Sequence, residues 1–68
     1  MNQLDARGLS CPEPVIMIRK AMMSHETEYE MIVDNPVSKE NVTRFAEHQG
    51  YQVTITQNGS EYLLKMRK

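Results

Sequence analysis

Two rhythms run along the chain. Apolar and polar positions alternate through Tyr51-Gln52-Val53-Thr54-Ile55-Thr56, and Tyr62, Leu64 and Met66 alternate with Glu61, Leu63 and Lys65. A period of two is the mark of strands with one half-buried face. Asn58-Gly59 between them is a favoured hairpin turn, with Ser60 able to lengthen the loop. Glu28-Tyr29-Glu30-Met31-Ile32-Val33-Asp34 opens with the same alternation and becomes continuously apolar, which predicts a well-buried strand. The second rhythm is helical. At 100° per residue, Pro14, Val15, Ile18, Ala21 and Met22 fall on one face, with Arg19, Lys20 and Ser24 opposite or flanking. A proline suits the first helical turn, where its missing N–H would lack a partner anyway. This predicts a first helix from about Pro12 to Ser24, with Ile16 and Met23 among its polar residues. Val42, Phe45 and Ala46 mark a second helix, capped by Asn35 before Pro36 or by Ser38, and closed by Gly50 in a left-handed conformation.

Asn2 to Ala6, with Leu4 its only large apolar side chain, reads as a brief opening strand, and Arg7-Gly8-Leu9-Ser10 as a loop. The order is β-α-β-α-β-β in one domain spanning residues 1–68. Strands with one polar face leave that side of a sheet open, so both helices should cover the other. The expectation is an α+β two-layer α/β sandwich, a four-stranded mixed sheet with two helices on one face.

Composition narrows the function more than the fold. Eight Lys and Arg against nine Asp and Glu give a net charge of −1, a poor basis for nucleic-acid binding despite Arg19, Lys20 and the basic end at Lys65–Lys68. No apolar run approaches the roughly 20 residues of a membrane span, and the N-terminus lacks the pattern of a secretory signal. A single cysteine, Cys11, excludes an intrachain disulfide and points to a reducing, cytoplasmic setting.

Cys11 is either a small core residue or the functional centre. It stands at a loop-to-helix junction between Ser10 and Pro12, and a residue before proline is pushed toward extended backbone, the state of an N-cap. A thiol at a helix start has its thiolate stabilised by the positive end of the macrodipole. If Cys11 is the cap, the Glu13 amide is the obvious local partner for the sulfur, because Pro12 and Pro14 have no N–H. Glu13 itself precedes Pro14, so the helix can also begin a residue or two later. His25 lies 14 positions along, roughly 20 Å at the helical rise, and His48 is near the end of the second helix. Neither makes a cysteine-hydrolase pair or a metal site with Cys11, so no metal is expected. What remains is a nucleophile without a general base or a bound cofactor, suited to passing a group from sulfur to sulfur.

Leu4-Asp5-Ala6-Arg7-Gly8-Leu9-Ser10-Cys11-Pro12-Glu13-Pro14 closely resembles the opening of the TusA/SirA-like proteins, whose signature is C-P-x-P after an L-D-x-x-G-x-x loop. The resemblance continues through Val33-Asp34-Asn35-Pro36, Asn41 to Ala46, Gly50-Tyr51 and the final hairpin. It implies the same β-α-β-α-β-β sandwich and a sulfur carrier, or sulfurtransferase, with a transient persulfide on the motif cysteine, here Cys11. It also implies a cysteine desulfurase or other sulfur donor, and a downstream acceptor protein. Members of the family are carriers toward transfer-RNA thiolation, molybdenum-cofactor synthesis, sulfur oxidation or selenium metabolism. The middle segment, Asp34-Asn35 and Glu40 to Glu47, is most similar to the N-terminal domain of YedF-type selenium-metabolism proteins, which carry a second domain.

Within that frame Pro12 and Pro14 would position the helix start and Glu13 would tune charge and partner choice. Ile16 and Met23, apolar beside Arg19 and Lys20, are candidates for partner docking. The alternative is a non-catalytic interaction or regulatory module in which Cys11 is structural.

Overall fold

The computed structural model describes residues 2–10 and 12–68. Its elements follow the order β1 (Asn2–Asp5), α1 (Glu13–Met22), β2 (Glu28–Val33), α2 (Pro36–His48), β3 (Gln52–Asn58) and β4 (Glu61–Arg67). The four strands form one sheet in the order β1-β2-β4-β3. β1 runs parallel to β2, and β4 pairs antiparallel with both β2 and β3. The sandwich expected from the sequence is the one observed. Because β1, β2 and β3 all point the same way, the helices that return from β1 and β2 also share a direction.

The layer between sheet and helices is the core. Tyr29, Met31 and Val33 of β2 and Leu64 and Met66 of β4 are buried against Ile18 and Met22 of α1 and Val42 and Ala46 of α2. β2 is not buried on both faces: its burial alternates strictly, and Ile32 is half-buried on the open face opposite Leu63. The apolar run 31–33 therefore reflects one small apolar patch on an otherwise polar surface.

The helix ends differ from expectation by local chemistry. Pro12 occupies the N-cap of α1 with φ −97° and ψ 14°, and makes no side-chain cap bond, so the helix starts at Glu13. At the other end the amides of Met23, Ser24 and His25 donate to carbonyls three residues back. These tight turns end α1 at Met22, and His25 leaves it in the left-handed region at φ 58°. Asn35, not Ser38, caps α2: its Oδ1 accepts the Ser38 amide at 2.7 Å. Ser38 is itself buried. Gly50 takes φ 91°, as a helix terminator should.

In the hairpin Asn58 pairs with Glu61, so the two-residue loop is Gly59-Ser60. Gly59 holds its first position with φ 64°, the glycine place in a II′ turn. Burial along β3 falls away toward that turn. Tyr51 is buried just before the strand and Val53 is half-buried, but Ile55 is 42% exposed, because β3 is an edge strand.

Candidate functional site

The loop from β1 to α1 leaves the sheet where the carboxyl ends of the parallel strands β1 and β2 lie side by side, the usual place for a site in such a sheet. Several hydrogen bonds fix it. Ala6 is buried and its amide still donates to the Ile32 carbonyl at 2.9 Å, extending the ladder past β1. The Gly8 amide donates to Asp34 Oδ2 at 2.7 Å, a short charge-assisted bond across 26 residues. The φ of Gly8, 80°, is one that a side chain would resist. Leu9 then turns back onto Ala6, its amide 3.3 Å from that carbonyl, and packs against the core.

Outside this tether, Arg7 grips Asp5 in a two-pronged contact. Nε lies 3.0 Å from Oδ1 and Nη2 2.8 Å from Oδ2, while the Arg7 amide also donates to Oδ1. Nη1 reaches Glu61 at the start of β4, at 3.3 Å. The Arg7 side chain, followed by its amide, holds the Asp5 carboxyl at about 2, below its ordinary 3.8. The Arg7 guanidinium is correspondingly pushed up, chiefly by its bond to Asp5 and then by Glu61. All three groups are solvent-facing, so the network orients the loop more than it stabilises the fold.

At the start of α1 the Glu13 amide donates to the Ser10 carbonyl at 3.0 Å. The donor expected to serve a capping sulfur is thus already used. Pro12 and Glu13 are exposed, whereas Pro14 is buried and anchors the first turn in the core. Cys11 lies outside the described residues.

Ile16, Lys20, Met23 and Arg19 fall in a single stripe along the outer face of α1 at 100° per residue, and all four are exposed, Met23 at 73% and Ile16 at 37%. Arg19 and Met23 also line a hollow with His25, Phe45 of α2 and Gln49 just after it. Ile16 and Lys20 do not line it. His25 is exposed just after α1 and His48 is exposed as the last residue of α2, at the C-terminal ends of two helices running the same way, so neither is brought to the start of α1. Among the described residues no group of three or more His, Cys, Asp or Glu side chains is placed to hold a metal ion. No helix among them is long and apolar enough to cross a membrane.

Sequence reasoning missed Asp34 as a site residue, although its signal was there: an acid ending an apolar strand, immediately before a helix cap. Asp5 and Arg7 carry no sequence signal beyond their place in the motif.

The profile of the family described as Sulfurtransferase TusA matches residues 2–68. The chain belongs to the TusA family. A family relative from Methanocaldococcus jannaschii, named "Putative sulfur carrier protein", is 37% identical over 59 residues, covering 84% of this chain and 79% of that protein. The crystal structure of a SirA-like protein from Desulfitobacterium hafniense superimposes with a TM-score of 0.88 at 31% identity, over 98% of this chain and 96% of that one. The sheet order and the two helices on one face are therefore those of the family.

Proposed function

We propose that the chain is a sulfur carrier that receives a sulfane sulfur on Cys11 and hands it to a partner protein. The observation that carries this reading is the family match over residues 2–68, which spans the loop tethered by Asp34 and the proline-flanked helix start. In loading, the Cys11 thiolate attacks the terminal sulfur of a donor persulfide. The donor's S–S bond breaks, its thiolate leaves, and Cys11 carries the new S–S bond, with no net oxidation. Delivery is the same exchange with the acceptor's thiolate attacking. No cofactor is required beyond this transient persulfide.

A loop with fixed entry and exit suits this chemistry, since a carrier must present one sulfur to two different proteins in turn. The exposed stripe of Ile16, Arg19, Lys20 and Met23 along α1 offers apolar contact and positive charge to a docking partner. The donor face it fits is apolar at its centre and acidic at its rim. The resemblance of Asp34-Asn35 and Glu40 to Glu47 to YedF-type proteins makes a selenium-pathway acceptor the first to try, ahead of thiolation and molybdenum-cofactor relays.

The test is to incubate the protein with a cysteine desulfurase and free cysteine and to weigh it intact. One added sulfur, absent in Cys11→Ser, is the expected result. Arg19→Glu with Lys20→Glu should slow loading by the protein donor at least tenfold and leave loading by a small polysulfide unchanged. Absence of any adduct with several desulfurases and with polysulfide would instead favour a non-catalytic interaction module.

A further inference from the structure

The free edge of the sheet at β3 is unguarded. Natural edge strands are usually short, bulged, or marked by lysine or proline, which discourages a second strand from pairing. β1, at the opposite edge, has four residues and closes on the charged Asp5. β3 has seven, Gln52-Val53-Thr54-Ile55-Thr56-Gln57-Asn58, with no charge, proline or glycine, and its register with β4 runs unbroken from Gln52 to Asn58. At its middle Ile55 projects on the helix side of the sheet, 42% exposed. It lies in a hollow whose rim is Lys39, Glu40, Arg44 and Glu47 of α2.

We propose that this edge pairs with β3 of a second copy of the chain, antiparallel about a two-fold axis through Ile55, joining two four-stranded sheets into one of eight. The chemistry of the strand is nearly symmetric about that residue. Under the two-fold, Thr54 faces Thr56 of the second copy, a favourable cross-strand pair, and Gln52 faces Asn58. Ile55 meets its own twin, and each covers apolar surface that α2 leaves open. The rim carries two cations and two anions, so two copies of it meet without net repulsion. An extended segment of a charged partner would find no charge on β3 to read. The opposite edge, with α1 and the loop held by Asp34, remains uncovered in such a dimer, so this inference is independent of the sulfur-carrier reading.

The register makes the test specific. In a Cys11→Ser background, Ile55→Cys places the two engineered thiols directly opposite, about 4.5–5.5 Å apart at Cα, within disulfide range. Gln57→Cys leaves the two thiols four residues out of register, roughly 13 Å apart and beyond reach. Under mild oxidation at low protein concentration, the Ile55→Cys protein should form covalent dimer at least tenfold faster than the Gln57→Cys protein. Equal rates would overturn the proposal. Sedimentation equilibrium supplies the second arm. The unmodified chain should show a dimer that Ile55→Lys, with unchanged circular dichroism, returns to monomer. A chain that sediments as a 7.9 kDa monomer up to millimolar concentration would also overturn it.

Discussion

Asp34 and Ser38 stand one helical turn apart and behave in opposite ways. Asp34 Oδ2 accepts the Gly8 amide and so ties the second β-α junction to the first loop. Asp34→Ala is expected to cost about 1.5 kcal/mol of stability, the lower end for a hydrogen bond to a charged group. The larger effect should be a several-fold slower sulfur loading, because the loop loses its tether; denaturant titration and the mass assay separate the two. Ser38 is fully buried, and its Oγ has no hydrogen-bond partner. Ser38→Ala should therefore raise stability, by about 1 kcal/mol, since the hydroxyl is hydrogen-bonded to water in the unfolded chain and folding strands it without a replacement partner. Asp5 supplies a pH signature. Its carboxyl is held at about 2 by Arg7, so the contact is fully present above the ordinary 3.8 and is lost as pH falls through about 2. A carboxyl-resolved NMR titration should give a midpoint near 2, returning toward 3.8 in Arg7→Ala. Being exposed, the pair should leave the global unfolding curve almost unmoved.

At the scale of elements, one side chain ties α1 to β2. The Tyr29 hydroxyl donates to the Ala21 carbonyl at 2.9 Å, accepts the Glu26 amide at 3.0 Å, and lies 3.1 Å from Ser24 Oγ. Tyr51 stacks edge-on against it at 5.8 Å and donates to the Glu26 carbonyl. Burial, then the neighbouring Tyr29, push the Tyr51 hydroxyl up, which keeps it a donor to the turn after α1. Tyr29→Phe should cost about 1–3 kcal/mol by leaving the Glu26 amide without its acceptor, the Ala21 carbonyl keeping Ser24 as donor, and should speed amide exchange in residues 21–26; thermal melts with hydrogen exchange check both. None of this is written in the period-two and period-3.6 patterns, which record only that Tyr29 points inward. Those patterns locate both helices, β3, β4 and β2, because burial is what they encode, whereas β1 offers only Leu4 and the run 31–33 overstates the burial of β2. They missed where α1 ends, since that is decided by backbone turns and a left-handed His25. They could not tell that Asn58 belongs to a strand, since a turn is fixed by the pairing across it. They misread Ile55 because alternation gives the face of a strand and not its place in the sheet. In the site, the motif around the loop was legible, but the partner that holds it is 26 residues away.

For the molecule as a whole the limiting quantity is core size. A scaffold below about 70–80 residues without a disulfide rarely keeps more than 3–5 kcal/mol of net stability. Leu64 and Met31 are fully buried at the centre of the sheet, paired across β2 and β4. Leu64→Ala should cost about 2–5 kcal/mol, comparable to the whole margin, and leave the chain largely unfolded at 25 °C by circular dichroism. The substitutions that probe the loop and the outer stripe avoid this layer, which is why their effects on sulfur transfer can be read from folded protein. The tether between Gly8 and Asp34 also has a spectroscopic consequence. An amide proton held 2.7 Å from a carboxylate oxygen should resonate well downfield of other glycines and exchange slowly for a loop. It is a built-in beacon three positions from Cys11, and under the proposed carrier role its resonance should shift when Cys11 is loaded.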